Sequence, residues 1–221
     1  MINVAIDGYA GSGKSVLAHQ VAERMGYKVL DTGALYRGLA CAFKESKFKV
    51  ASEKNVNKFI EDVFVQIKFV DSLQHVIVNG KDYTAHLREP EISNLASEIS
   101  VFPKLRDKIL DLQRDFAKNN DCVMEGRDIA TIVLPNAQIK IFLTADVEKR
   151  AMRRYLEMKN KDEITYEKVL QDLKERDKRD ETRQVAPLKP AKDSVILDNG
   201  DLTVEGTVER AIEIIKSKIN G

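Results

Sequence analysis

Residues 8–15 read GYAGSGKS and match the phosphate-binding P-loop pattern G-x-x-x-x-G-K-[ST]. The run follows a short apolar segment at 2–6 and precedes an amphipathic segment at 14–25, so it lies where a strand would turn into a helix. Its glycines let backbone N–H groups curl around a phosphate without Cβ clashes, and the helix adds the positive end of its dipole. The pattern therefore predicts a nucleotide-binding loop.

Two side chains of this loop have chemistry of their own. Lys14 is expected to reach the β- and γ-phosphates of the nucleotide, and the hydroxyl of Ser15 is expected to bind Mg²⁺. A nucleotide and Mg²⁺ are thus expected to bind here, with Ser15 as the metal ligand. The residues expected to bind the donor nucleotide are Gly8, Tyr9, Ala10, Gly11, Ser12, Gly13, Lys14, Ser15 and Val16.

A second polar group follows the next predicted strand, where residues 31–37 read DTGALYR. Arg37 lies in the first turn of a predicted helix, where the helix dipole disfavours a cation but where an arriving anion would be bound well. Thr32 could bind a ligand there, or it could simply cap the helix that is predicted to begin near Ala34.

Arg127 and Asp128 end the third predicted strand. Ligands of open parallel sheets bind beyond the carboxyl ends of the strands, so these two side chains would face a ligand. The plainer alternative is an ion pair within the loop.

Further charged residues repeat at helical spacing, and a charged helix face by itself most often only contacts solvent. Beside a P-loop, arginines have a specific use, because phosphoryl transfer is catalysed by alignment and by neutralising phosphate oxygens. The residues that would share helix faces are Arg150 with Arg154, and Arg176 with Asp180 and Arg183.

These residues must be positioned by an alternating series of strands and helices, which predicts an α/β fold with a parallel sheet and right-handed crossovers. The strand-like runs are 2–6, 28–30, 121–124, 138–143 and 194–198, and the helical patterns are 14–25, 34–47, 103–118, 146–159, 165–182 and 203–218. Residues 63–86 break this alternation with two runs that turn at 71–72, followed by Asn79-Gly80, a strong hairpin signal. A small antiparallel insert is therefore expected there, flanked by helices at 53–62 and 91–100.

The composition is that of an ordinary globular protein, with 221 residues, 43% hydrophobic residues and a formal net charge of +1. The near-neutral charge gives no sign of nucleic acid or an acidic membrane surface as partner. Cys41 and Cys122 lie in apolar contexts and are expected to be free core thiols in a reducing compartment. Without a signal peptide pattern or an apolar run of membrane-spanning length, a cytoplasmic location is expected.

Taken together, the motifs resemble those of the bacterial cytidylate (CMP) kinases, over nearly the whole chain. The matching runs are GYAGSGKS, DTGALYR, EGRDIAT, IVLPNAQIKIFLTA, EKRAMRR, ERDKRDETR, QVAPLKPAKDS and VILD. The resemblance implies a P-loop nucleoside monophosphate kinase with a five-stranded parallel sheet, a short helical lid and an insert that binds the monophosphate. It implies a single kinase domain over 1–221, with core 1–50 and 101–221, insert about 51–100 and lid about 148–164.

The implied reaction is transfer of the γ-phosphoryl group of ATP to CMP or dCMP with Mg²⁺, by a protein that we expect to be a monomer. The residues that would hold the acceptor nucleotide are Thr32, Tyr36, Arg37 on its phosphate, Arg127 and Arg183. Those that would contact the cytosine ring are Ser97, Arg106 and Asp128, and those that would contact the ribose are Arg176 and Asp180. The lid residues that would close over the ATP phosphates are Arg150, Arg153 and Arg154. The expected catalytic residues are Lys14, Arg127, Arg150 and Arg154.

Three positions depart from the family pattern. Tyr9 replaces the customary proline of the P-loop, where it would face outward with little effect. Ala130 replaces a glycine, and if that position needs a positive φ, alanine would cost about 1 kcal/mol or shift the loop of Asp128. Residues 199–200, Asn-Gly, replace a Ser/Thr pair near the expected adenine side, which leaves the choice of donor base open.

Two other functions remain open from the residues alone. A kinase of another acceptor, such as UMP or a hydroxyl compound like shikimate, is the first; a hydroxyl acceptor would need a base, for which Asp31 or Asp128 could serve. A P-loop switch protein such as a GTPase is the second, although the sequence has no Asn-Lys-x-Asp motif and would leave the arginines without a use.

Overall fold

The computed structural model of the chain describes residues 1–48, 50–71, 73–158 and 164–219. The strands are β1 (Asn3–Gly8), β2 (Lys28–Asp31), β3 (Val65–Val70), β4 (Leu73–Val78), β5 (Lys81–Asp82), β6 (Cys122–Gly126), β7 (Ile139–Thr144) and β8 (Val195–Asp198). The helices are α1 (Lys14–Met25), α2 (Thr32–Glu45), α3 (Glu53–Glu61), α4 (Pro90–Ile99), α5 (Pro103–Asn119), α6 (Val147–Met158), α7 (Tyr166–Thr182) and α8 (Val204–Ile219). The chain divides into two compact units, residues 1–29 with 119–221, and residues 30–118.

The P-loop follows the central strand of a five-stranded sheet, whose order is β2-β6-β1-β7-β8. The central strand β1 pairs in parallel with both β6 and β7, and β7 pairs in parallel with β8. Strands β1, β6 and β7 are buried almost throughout, as expected of a sheet with helices on both faces. The predicted five-stranded parallel sheet is confirmed.

The apolar stripe of α1 explains how the P-loop is held against this sheet. Leu17, Ala18 and Val21 are buried and join the core that β1 and β7 form. At the start of the loop, a Cβ on Gly8 would lie 2.0 Å from the carbonyl oxygen of Leu143, so only glycine allows the two strands to approach this closely.

The second unit contains the predicted insert. Strands β3, β4 and β5 form an antiparallel sheet in that order, and Asn79 and Gly80 turn the β4–β5 hairpin with φ values of 50° and 81°. The hairpin and its flanking helices α3 and α4 are therefore as predicted. Helix α2 packs directly on β4, because a Cβ on Gly38 would come within 2.4 Å of Val76. The boundaries of the insert at about 51–100 stay a prediction.

Two local features differ from the expectations. Helix α2 begins at Thr32, and its cap is Asp31, whose Oδ1 accepts from the N–H of Ala34 at 2.9 Å, so the capping role suggested for Thr32 is wrong. A π-helical turn at Ile129–Val133 is separated from the end of β6 by two residues, and the apolar sequence there did not indicate it. Such turns are often found at functional sites.

Several expectations concern the remaining parts of the chain. Cys41 and Cys122 are both buried free thiols, and burial raises their pKa values to about 11 and about 12. Among the residues that the structure describes, no helix has the length and apolarity that crossing a bilayer requires. Residues 159–163 of the expected lid and Ser72 of the expected turn lie outside the described residues.

Candidate active site

The P-loop of the first unit presents its backbone as the sequence predicted. Gly11 and Gly13 have φ values of 70° and 90°, in the left-handed region where glycine is favoured, and Gly13 is the N-cap of α1. Ser15 is exposed in the first helical turn. The positive end of α1 and the N–H groups of the loop thus face the same place, which suits a phosphate.

Lys14 is buried within this loop. Its Nζ donates to the carbonyl oxygen of Tyr9 at 2.6 Å and lies 3.4 Å from the hydroxyl of Ser12. Burial lowers the pKa of Lys14 well below its ordinary value, and the nearby guanidinium of Arg127 lowers that pKa further. A buried ammonium among cations is poorly compensated, so an anionic ligand would be bound strongly there.

Asp180 organises the arginines that surround this position. It is buried, accepts from Nε of Arg127 at 2.9 Å, and lies near Arg176 and Arg183. Burial alone would raise the pKa of Asp180, but the three positive charges together lower it. The structure therefore brings Arg127, Arg176, Asp180 and Arg183 together as one cluster, which we call the arginine cluster.

Asp128 contacts the same cluster from the end of β6. It is buried, and its Oδ1 lies 3.6 Å from Nη2 of Arg183. Arg183 also donates from Nε to the carbonyl oxygen of Ala186 at 2.6 Å, and Ala186 itself has a φ of 52°. A left-handed alanine is strained, and it is held here where it orients an arginine of the site. No feature of the sequence pointed to Ala186.

Arg150, expected to close over the ATP phosphates, has partners within the protein that the sequence did not indicate. It is buried, and it donates to the carbonyl oxygens of Ala145 at 2.8 Å and Ala10 at 2.9 Å and to the carboxylate of Asp177 at 2.7 Å. In this conformation Arg150 fastens the P-loop to α6 and α7. The closure of Arg150 over the ATP phosphates stays a prediction.

The other two expected lid arginines have different surroundings. Arg153 donates to the carbonyl oxygens of Asn199 and Gly200 at 2.7 and 3.2 Å, while Arg154 is partly exposed and lies 3.4 Å from Glu157. Asn199 also donates from its side chain to the carbonyl oxygen of Ser12 at 2.9 Å. The Asn-Gly departure from the family pattern thus links the P-loop to Arg153, and its effect on donor-base choice stays untested.

Asp7 is a buried residue beside the candidate site that the sequence reasoning missed. Its carboxylate accepts from the backbone N–H groups of Ile129 at 2.8 Å and Ala130 at 2.7 Å, immediately after Asp128. Asp7 therefore holds the loop that carries Arg127 and Asp128 against the start of the P-loop. A carboxylate that interrupts an apolar strand just before a P-loop was the available signal.

The bonds to Asp7 also answer the question raised by Ala130. No positive φ is found at Ala130, since the non-glycine residues with positive φ in the described chain are Asp71, Asn79 and Ala186. Alanine therefore carries no left-handed penalty there. The expected shift of the Asp128 loop does not arise from this substitution.

The pKa of Asp7 predicts a pH dependence of folding stability. Burial raises this pKa from 3.8 to about 6, against the two backbone hydrogen bonds that lower it. Because the folded state holds the proton more tightly, this residue favours folding below pH 4 and loses that contribution as pH rises through 6. A shift of this size corresponds to about 3 kcal/mol. Wild type and Asp7→Asn differ in their free energies of unfolding, and the stability of wild type relative to the variant should decrease by about that amount from pH 4 to pH 7.

Urea unfolding of both proteins at pH 4 and pH 7 measures this difference. Asp107→Asn, at an exposed position of α5, is the matched control and should change stability equally at both pH values. If the difference for Asp7→Asn is the same at both pH values, Asp7 does not titrate in this range.

The second unit contributes its own group of predicted residues, at the start of α2. Nη2 of Arg37 donates to Oδ2 of Asp31 at 2.6 Å, while Oδ1 of Asp31 caps the helix. Gln74 brackets the backbone of Asp31 with two hydrogen bonds of 2.8 and 3.0 Å. Gly33 leaves room for this arrangement, since a Cβ there would lie 2.8 Å from the Arg37 guanidinium. Arg37 is thus held at the N-terminus of α2, a position from which its guanidinium could bind an anion.

The residues expected to contact cytosine in this unit also adjoin one another. The guanidinium of Arg106 lies 5.4 Å from the centre of the Tyr36 ring and donates to the carbonyl oxygen of Ser100 at 3.1 Å. The hydroxyl of Ser100 in turn donates to the carbonyl oxygen of Ser97. Arg106 and Ser97 are buried, so both are positioned by packing as well as by hydrogen bonds.

The P-loop offers Mg²⁺ a hydroxyl ligand at Ser15. Mg²⁺ commonly keeps several waters and takes its other ligands from substrate phosphates and one or two protein oxygens. Across the described ranges, no group of three or more His, Cys, Asp or Glu residues could hold a metal by itself. The exposed hydroxyl of Ser15 fits a site of this kind, in which the protein supplies few ligands.

Comparison with known proteins gives a consistent result. A family model described as cytidylate kinase matches residues 4–217. A cytidylate kinase of Caldicellulosiruptor saccharolyticus is 41% identical over 214 residues, which cover 96% of this chain and 95% of that protein. Cytidylate kinase 1 of Haemophilus influenzae is 38% identical over 214 residues, covering 96% of this chain and 93% of that protein.

Among solved structures, an uncharacterized protein from Eubacterium ventriosum has a similar fold. Its TM-score is 0.53 at 14% sequence identity, and the match covers 98% of this chain and 99% of that one. At this identity the similarity concerns the fold alone.

Proposed function

The chain belongs to the cytidylate kinase family, and we propose that it transfers the γ-phosphoryl group of ATP to CMP or dCMP, giving ADP and CDP or dCDP. The observation that carries the proposal is the buried Lys14 in its P-loop, adjoined by the arginine cluster. Such a site neutralises the oxygens of the transferred phosphoryl group and of a phosphate acceptor.

The pairing of the carboxylates favours a phosphate acceptor over a hydroxyl acceptor. A hydroxyl must lose its proton to a positioned base, whereas the phosphate oxygen of CMP is already anionic. Asp31 is bonded to Arg37, and Asp128 lies beside Arg183. Each of the two carboxylates that could act as a base is therefore next to an arginine. A shikimate-type kinase is therefore the weaker alternative.

The roles of individual residues are part of this proposal. Lys14 and the N–H groups of the loop hold the β- and γ-phosphates of ATP, and Ser15 would ligate Mg²⁺, which would supply further neutralisation of phosphate charge. Arg37 and Arg127 hold the acceptor phosphate. We further propose that the protein acts as a monomer in the cytoplasm, without nucleic acid or membrane partners, and that residues 148–164 form a lid that excludes water.

An acceptor panel at fixed ATP and Mg²⁺ tests the function. ADP release should be at least tenfold faster with CMP or dCMP than with UMP, AMP or shikimate, because each mispaired buried polar group of a base site costs about 1–3 kcal/mol. The reaction without acceptor gives the background ATPase rate. Equal rates with CMP and shikimate, or ATP hydrolysis that no acceptor increases, would contradict the proposal.

A further inference from the structure

The side chain of Tyr9 connects the tip of the P-loop to three other elements of the first unit. Its hydroxyl donates to Oε1 of Glu181 on α7 at 2.8 Å. Its ring meets Phe142 of β7 edge to face, with 5.7 Å between ring centres, and the guanidinium of Arg150 on α6 lies 4.9 Å from the centre of the same ring. Tyr9 is half-buried, so its side chain has partners that the expectation of an outward-facing residue did not include.

Arg150 and α7 complete the connection through the neighbouring residue of the loop. Arg150 bonds the carbonyl oxygen of Ala10 and the carboxylate of Asp177. Asp177 and Glu181 are four residues apart and so lie on one face of α7, where one carboxylate holds Arg150 and the other holds Tyr9. Two consecutive P-loop residues are thus tied to the same two helices.

The protonation state of Tyr9 suits this role. Burial, followed by the hydrogen bond and the charge of Glu181, raises the pKa of Tyr9 to about 12. The phenol therefore stays protonated at neutral pH and donates to the carboxylate, which is a stronger hydrogen bond than one between neutral groups.

The backbone of Tyr9 connects this anchoring to the chemistry. Its carbonyl oxygen accepts from Nζ of Lys14 at 2.6 Å and from the N–H of Ser12 at 3.4 Å. The position of residue 9 therefore sets where the ammonium of Lys14 rests and how the loop closes. A loop that is already held in its binding shape loses less entropy when it binds a ligand.

We propose that Tyr9 is a positioning residue that holds the P-loop in the shape that binds the polyphosphate of the donor nucleotide. The inference rests on the proposed function only in taking ATP as that donor. Removing the anchor should weaken donor binding and leave acceptor binding nearly unchanged.

Calorimetric titration of ATP into the full-length protein tests this directly. Tyr9→Phe keeps the ring and loses the hydrogen bond, and its affinity for ATP should fall three- to tenfold. Tyr9→Leu also loses the contacts with Arg150 and Phe142, and its affinity should fall by more than tenfold. In steady-state assays the KM for ATP should rise in parallel, while the KM for CMP stays within twofold of wild type.

Substitutions at Glu181 isolate the hydrogen bond, since Gln keeps an acceptor oxygen and Leu does not, while both remove the charge. Adding Tyr9→Phe to the Glu181→Gln protein should lower its ATP affinity three- to tenfold. Adding Tyr9→Phe to the Glu181→Leu protein should leave its ATP affinity unchanged. Tyr166→Phe, a phenol change at the other end of α7, is the matched control and should stay within twofold of wild type.

Two results would overturn the proposal: ATP affinities of Tyr9→Phe and Tyr9→Leu within twofold of wild type, or KM values for ATP and CMP that rise together. The outcome is separable from the proposed function. If wild type binds ATP but does not phosphorylate CMP, the proposed function fails, and the ATP affinities of the variants still decide the role of Tyr9.

Discussion

Replacing Lys14 by alanine is expected to lower kcat at least 100-fold while the protein remains folded. In the proposed reaction Lys14 neutralises charge on the transferred phosphoryl group, and loss of such a contact costs about 3 kcal/mol of transition-state stabilisation. The structure adds a prediction about stability. Because burial and Arg127 lower the pKa of Lys14, its ammonium is less favourable in the folded than in the unfolded state. Alanine removes this strain, so the Tm should be equal to or higher than that of wild type.

Coupled measurement of ADP release and a thermal unfolding curve of the same preparation give both quantities. Lys28→Ala, which removes an exposed lysine at the start of β2, is the matched control and should leave both unchanged. If Lys14→Ala keeps more than half of the wild-type kcat, Lys14 does not act on the transferred group. A large fall in Tm together with kcat would instead assign Lys14 a structural role.

Much of the fold could be predicted because many of its strands and turns are indicated by residues that are close together in the sequence. The apolar runs at β1 and β7 and the Asn-Gly turn between β4 and β5 are short-range signals, and the structure has each element within a few residues of its predicted place. The P-loop was equally readable, since its chemistry needs fixed residue types at fixed spacing.

The arrangement of charges within the site could not be read in this way. The bond between Arg127 and Asp180 joins residues 53 positions apart, and the bond between Arg150 and Ala10 joins residues 140 positions apart. The spacing along α6 predicted that Arg150 and Arg154 share one helix face. The two differ in exposure, because Arg150 is buried and bonded to the P-loop, whereas Arg154 is partly exposed. Pairings of this kind depend on the distances that the whole fold creates.

Tyr9 shows the same limit for a single residue. Its type departed from the family pattern, so the sequence identified the position, but the loop pattern alone suggested an outward side chain. Its hydrogen-bond partner is Glu181, which lies 172 positions away in the sequence. A local motif predicts the backbone of a loop better than it predicts the contacts of a variable side chain within it.

Asp128→Asn is expected to change the choice of base rather than only the rate. Cytosine presents its N4 amino group as a donor, and a carboxylate can accept from it, whereas uracil presents the O4 oxygen, an acceptor against an acceptor. Asp128 is buried, so such a mismatch would cost about 1–3 kcal/mol. Asparagine keeps the shape and adds an NH₂ donor. The value of kcat/KM for CMP should therefore fall, and the ratio of UMP to CMP should rise at least tenfold.

The competing explanation is that Asp128 only orients Arg183, whose Nη2 lies 3.6 Å from its Oδ1. Arg183→Gln is the matched control for that possibility, because it removes the cation and leaves the carboxylate in place. Loss of an acceptor-site arginine should reduce kcat/KM for CMP and UMP by the same factor and leave their ratio at the wild-type value. If Asp128→Asn behaves in this way too, with both acceptors depressed alike, Asp128 has no part in reading the base, and its contribution is the orientation of Arg183.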